Sequence, residues 1–147
     1  MLQLSKIVCP TDFSDPAMAA LAMAKGLAKQ FGAKLYLIHV VPPIPLAPAS
    51  IGFETALYED ELRKSAEEEM KKLVQELRSQ GIEAEGKTVR GEPCDQIVEH
   101  AKEVAADMIV IATHGHTGWK HVLFGSVAEK VVRLAGCPVL SFRPNAH

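Results

Sequence analysis

The stretch from Asp107 to Gly136, DMIVIATHGHTGWKHVLFGSVAEKVVRLAG, decides how the rest of the chain is read. It opens with MIVI, an apolar and β-branched run that reads as a buried strand. It closes with SVAEKVVRLAG, which reads as a helix with Gly136 just past its end. Between the two lie Gly115, Gly118 and Gly125 and the histidines His114, His116 and His121. Two readings of this connection stand side by side. Glycines let the backbone take positive φ and let a ligand come close, and Ser126 at a helix start offers unpaired amides and a helix dipole to an anion. Against this, Ser126-Val127-Ala128-Glu129 matches the capping box S-x-x-E, in which Ser126 would only satisfy its own helix. Neither GxxxxGK[ST] nor GxGxxG is present, so no familiar phosphate loop accounts for the stretch.

Outward from there the chain alternates strand and helix. SKIVCP is a short strand ended by Pro10. In SDPAMAALAMAKGLAKQFGA, Ser14 caps a helix, Pro16 suits its first turn, and Leu21, Ala24, Ala28 and Phe31 recur at helical spacing before Gly32 stops it. AKLYLIHVV is apolar on both faces, as a central parallel strand should be. The proline-dense stretch PPIPLAP, from Pro42 to Pro48, admits no regular element and reads as a lid-like loop. Tyr58, Leu62, Ala66, Met70, Leu73 and Leu77 mark one face of a long helix closed by Gly81, and its other face is charged and solvated. IEAEGKTVRG is a more polar strand that suits a sheet edge. EPCDQIVEHAKEVAA is a helix with Pro93 in its first turn, and CPVLSFR is a fifth strand.

A β-α-β-α-β-α-β-α-β order predicts an α/β fold, a parallel sheet with helices on both faces and right-handed crossovers. At 147 residues the chain is read as one domain, 1–147. Its 48% apolar and 23% charged content and net charge of −2 fit a soluble globular protein. No basic block points to nucleic acid, and no apolar run approaches the roughly 20 residues of a membrane span. The cysteines Cys9, Cys94 and Cys137 have no metal spacing and read as reduced thiols, so the chain is placed in the cytoplasm. In such sheets ligands sit beyond the carboxyl ends of the strands where the strand order reverses. That rule selects CPTDFSD after the first strand, HVVPP after the second, and IATHGHTG after the fourth.

The same segments carry a resemblance. KIVCPTDFSD, LYLIHVV, VRGEPCDQIVEHA, DMIVIATHGHTG and LFGSVAEKVVRLAGCPVL make the chain similar to the universal stress protein family over essentially its whole length. ATP-binding members of that family carry G-x2-G-x9-G-[ST]. Here the motif reads Ala112-x2-Gly115-x9-Gly125-Ser126, with alanine in place of the first glycine. The resemblance implies a Rossmann-like five-stranded sheet of order 3-2-1-4-5. It implies that ATP, accompanied by Mg or Mn, is bound as follows: Asp12 on the ribose, Val40 offering main-chain hydrogen bonds to adenine, and Pro10 and Ile111 lining the base pocket. Ala112, Gly115, Gly125, Ser126 and Val127 would surround the phosphates. It also implies a homodimer through the fifth strand, at Val139, Leu140, Ser141 and Phe142; a monomer with that edge covered by the C-terminal tail is the alternative.

Other residues bear on the same reading. Ala112 would be strained if its position required positive φ, by roughly 1–2 kcal/mol. His116, where many relatives carry Lys or Arg, would make nucleotide affinity rise on mild acidification. A metal site at His114, His116 and His121 matches no strong motif. His39 reads as a core histidine, Cys9 as a buried apolar filler, and Trp119 as a shield for the site or a partner contact. No nucleophile–base pair is present, so the expectation is a regulatory or protective binding module and not an enzyme, with slow ATP hydrolysis at most. Two rivals are a dimeric interaction module that has lost nucleotide binding, and a slow ATPase or phosphotransferase.

Overall fold

The protein is described from a computed structural model, which describes residues 3–43, 52–114 and 125–144, with backbone alone over 52–55. Five strands, β1 (Lys6–Pro10), β2 (Lys34–Val41), β3 (Ala84–Arg90), β4 (Met108–Ala112) and β5 (Val139–Phe142), form one sheet of order β3-β2-β1-β4-β5. All four pairings are parallel. The helices are α1 (Asp15–Phe31), α2 (Gly52–Ser79), α3 (Pro93–Glu103) and α4 (Ser126–Leu134). This is the doubly wound arrangement that the alternation and the resemblance predicted, with helices on both faces.

Strand alternation divides the core. Ile7, Cys9, Leu35, Leu37 and Val110 pack under α1 and α2, together with Leu21, Ala24, Met70, Val74 and Leu77. Val8, Ile38, Ile109 and Ile111 point the other way, onto Cys94, Ile97, Ala128 and Val131 of α3 and α4. Because β1 is buried on both faces, it has no polar side to show. Cys9 is fully enclosed, and burial pushes its thiol up to about 12, so it remains an uncharged filler. Gly86 on β3 is what lets α2 lie so close: a Cβ there would sit 2.5 Å from Cγ of Met70.

Several local expectations need correction. Phe31, the last residue of α1, is 52% exposed; Ala17, Ala20, Leu21, Ala24 and Ala28 carry the buried stripe. On α2 the buried apolar stripe begins at Ala66, while Tyr58 and Leu62 are 58% and 40% exposed. The charged side of α2 is not uniformly solvated. Glu59 is largely buried and takes both guanidinium nitrogens of Arg90, at 3.0 and 3.2 Å, joining α2 to the end of β3. Helix α4 ends at Leu134 with an extended Ala135 as its C-cap, so Gly136 does lie past its end, though not as a left-handed stop. By contrast Gly32 and Gly81 do take positive φ, +69° and +81°, and stop α1 and α2 as predicted. Among the described residues, no helix is long and apolar enough to cross a membrane.

Candidate functional site

The end of β1 creates the site. In a parallel ladder each residue aims its N–H and C=O at one neighbour, and successive residues alternate sides. On β2, Lys34 donates to the Ser5 carbonyl and Ile38 accepts from the Thr11 amide, so even-numbered residues face β1. Leu35 donates to Glu83 and Val41 accepts from Gly91, so odd-numbered residues face β3. Val40 therefore aims its main chain at the β1 side. Yet the β1–β2 register ends at Pro10↔Ile38.

The same holds across the gap. On β4, Ile109 donates to Pro138 and Thr113 to Phe142, both on the β5 side. Ala112 has the opposite parity and faces β1, whose register with β4 ends at Val8↔Ile109. Pro10 has no N–H with which to extend that ladder. Val40 and Ala112 thus flank the space into which β1 would have continued. That space is a cavity of about 440 Å³, within the size range of small-molecule sites.

Pro10, Asp12, Val40, Ile111, Ala112, Gly125, Ser126 and Val127 all line this cavity. Gly115, with His116, Gly118, Trp119 and His121, lies outside the described residues, as does most of the proline-dense stretch. Sequence reading missed Pro93 and Ile97 of α3, which form an apolar wall, and His39, Thr113 and His114. The helical spacing of α3 places Ile97 on its buried face, but nothing in the sequence shows which cavity that face meets.

Three helices begin at this rim with described N-caps, and they differ. At α1, Ser14 Oγ accepts from the Ala17 amide at 3.3 Å. At α3, the Glu92 carboxylate accepts from the Asp95 amide at 2.9 Å. At α4 the N-cap is Gly125, and no side chain caps the first turn. The capping-box reading of Ser126 fails because the helix starts one residue earlier than that box requires: Ser126 is the first helical residue and not the N-cap, and it is exposed. Gly125 is needed for closeness and not for positive φ, since its φ is −69°. Its amide donates to the Thr113 carbonyl at 2.6 Å, and a Cβ would meet the same oxygen at 2.8 Å. Ala112 ends β4 outside the left-handed region, so the alanine there carries no backbone strain.

The loop after β1 is tightly tied. Phe13 is left-handed at φ +63°, and its amide donates to Thr11 Oγ1 at 3.0 Å. One oxygen of Asp12, Oδ1, accepts from the Ser14 amide at 3.0 Å and also from the Ser14 hydroxyl. Asp12 therefore both braces the cap of α1 and faces the cavity. His39 is half-buried. Its Nδ1 lies 2.8 Å from the Thr11 carbonyl and its ring packs on Phe13 at a centroid distance of 4.9 Å.

A parallel sheet whose central strand stops short and leaves a cleft at the point of strand-order reversal defines a doubly wound α/β protein, with its cleft at the place where such folds hold ligands. The comparisons make that class specific. The model of the universal stress protein family matches residues 4–143, and the chain belongs to this family. Universal stress protein MJ0531 of Methanocaldococcus jannaschii is 39% identical over 137 residues, covering 92% of this chain and 79% of the relative. The solved structure of MJ0577, from the same organism, superposes with a TM-score of 0.87 at 29% identity and covers 99% of both chains. A universal stress protein from Archaeoglobus fulgidus, solved in complex with dAMP, gives a TM-score of 0.64 at 28% identity, covering 96% of this chain and 98% of that one.

Proposed function

We propose that this protein binds an adenine nucleotide in the cleft beyond β1 and acts as a cytoplasmic regulatory or protective module, not as a rapid enzyme. The observation that carries the reading is the convergence of three main-chain features on one cavity: the inward-facing backbones of Val40 and Ala112 and the side-chain-free cap of α4 at Gly125. Val40 offers an N–H and a C=O on one edge, the pattern an adenine edge accepts and donates to. Pro10 and Ile111 supply apolar surface for the base. Asp12 takes the ribose, while Ala112, Gly115, Gly125, Ser126 and Val127 surround the phosphates. The dAMP held by the Archaeoglobus fulgidus relative supports adenine as the base.

ATP is the proposed ligand, with Mg or Mn. Asp12 is the one carboxylate that the described residues bring to the cavity wall, so a metal would be held chiefly by phosphates and water, as Mg²⁺ prefers. With so few groups to position a water or neutralise a transferring phosphoryl group, hydrolysis is slow at most. Nucleotide stabilises whichever conformer binds it, and by linkage shifts the population toward that state.

A homodimer through β5 is the second part of the proposal. Among the described residues the strand pairs with β4 alone, and Leu140 is 37% exposed, with Val132 and Leu134 of α4 exposed as well. An open apolar edge of this kind is a hazard unless another chain covers it.

The test is to purify the protein gently, extract it with acid and analyse the extract for adenine nucleotide, then add Mg-ATP to stripped protein and follow its melting temperature. Recovered nucleotide and a rise in melting temperature support the reading. An empty extract with an unchanged melting temperature contradicts it.

A further inference from the structure

The geometry points to His39 as a positioning residue that keeps the cleft from zipping shut; the inference rests on the nucleotide-binding reading for its consequence, though not for its structural part. The argument starts from what a longer β1 would do. In the parallel register that ends at Pro10↔Ile38, the next rung would join the Thr11 carbonyl to the Val40 amide. One rung further, the Phe13 amide would reach the Val40 carbonyl. Both partners are turned elsewhere. The Thr11 carbonyl meets Nδ1 of His39 at 2.8 Å, and the Phe13 amide donates to Thr11 Oγ1 at 3.0 Å. A carbonyl oxygen only accepts, so Nδ1 of His39 carries the proton.

His39 sits beside Val40 on β2, but its own main chain faces β3, where it is in register with Thr88. Its side chain is thus free to reach over to the loop while its backbone stays in the ladder. The ring also packs against Phe13, the left-handed residue that turns the chain away from the sheet. A strained turn of this kind persists only when its surroundings hold it, and His39 supplies both a hydrogen bond and a packed face. Without that donor, the Thr11 carbonyl keeps its need for a partner, and the nearest one the register provides is the amide of Val40. The ladder then lengthens by a rung and covers the edge that the base requires.

The test compares wild type with His39→Leu, which keeps bulk and loses the donor, and His39→Asn, whose Nδ2 branches from the same Cγ and restores a donor. Hydrogen exchange of the Val40 amide is measured without ligand, and affinity for AMP is measured by calorimetry. The expected result is slowed Val40 exchange in His39→Leu and AMP binding weakened about tenfold, which corresponds to about 1.4 kcal/mol. His39→Asn is expected to return both toward wild type. Unchanged Val40 exchange in His39→Leu overturns the inference, as does a failure of His39→Asn to rescue. If wild type itself does not bind AMP, the nucleotide reading fails, but the exchange experiment still decides the role of His39. Should His39→Leu not fold, the wild-type ring decides instead: nitrogen NMR should show a proton on Nδ1 of His39, and a proton on Nε2 alone overturns the inference.

Discussion

The amide of Gly125 donates to the carbonyl of Thr113 at 2.6 Å, and a Cβ on Gly125 would stand 2.8 Å from that same oxygen. This contact ties the start of α4 to the chain leaving β4 and fixes the distance between the uncapped helix terminus and Ala112. Gly125→Ala must push the two segments apart. It is expected to cost about 1–3 kcal/mol of stability, the usual range for overpacking, and to weaken nucleotide binding more than stability alone explains. Chemical denaturation with parallel calorimetry measures both. An alanine variant with unchanged stability would mean that the contact yields easily.

Asp12 has two separable roles. Asp12→Ala removes the acceptor for Ser14 and the charge at the cavity wall, so it should lose about 1 kcal/mol of stability, as helix-cap losses do, together with nucleotide affinity. Asp12→Asn retains an oxygen for Ser14 and should keep the stability while still weakening nucleotide binding. Equal behaviour of the two variants in both assays would remove the separation.

His100 makes stability depend on pH. It is buried, its Nδ1 has no hydrogen-bond partner, and the nearest Glu103 oxygen is 3.6 Å away, too far for a hydrogen bond. Burial, helped by the charge of Lys87, lowers its pKa against the pull of Glu103 and Glu85. The folded state therefore takes up this proton less readily than the unfolded chain, whose value is about 6.5. Stability from this source is present above about pH 6.5 and is lost as pH falls below it. His100→Leu should show a flatter decline than wild type between pH 7 and pH 5.5 in thermal melts. Parallel curves would exclude His100 as a source of that decline.

The β5 edge predicts a change of assembly state. Leu140→Asp places a charge where a partner strand would pack, so light scattering coupled to gel filtration should show dimer for wild type and monomer for the variant. A monomeric wild type contradicts the proposed interface.

The sequence made some of this legible and left some hidden, for physical reasons. Elements with one buried stripe were readable from spacing, such as α1 with Leu21, Ala24 and Ala28, and so were the stops at Gly32 and Gly81. The strand order was not contained in that periodicity and came from resemblance. Exposure of Tyr58 and Leu62 was hidden because a helical stripe does not reveal which of its turns are covered. The segments that meet at the cleft were selected by the strand-end rule. The backbone parity of Val40 and Ala112 depends on where β1 ends, and the roles of Gly125 and His39 depend on contacts between segments far apart in the chain. The tie between His39 and Thr11 spans a sequence separation of 28. The match of Ser126 to a capping box left two readings open because a four-residue pattern does not say which residue begins the helix.

The most direct test of the central claim is to titrate labelled protein with AMP and follow backbone amide resonances. The account predicts saturable shifts concentrated at Val40, Ala112, Ser126 and Val127, on three separate elements around one cavity. Amides at these positions that do not respond, while the rest of the spectrum is unchanged or shifts elsewhere, would contradict it.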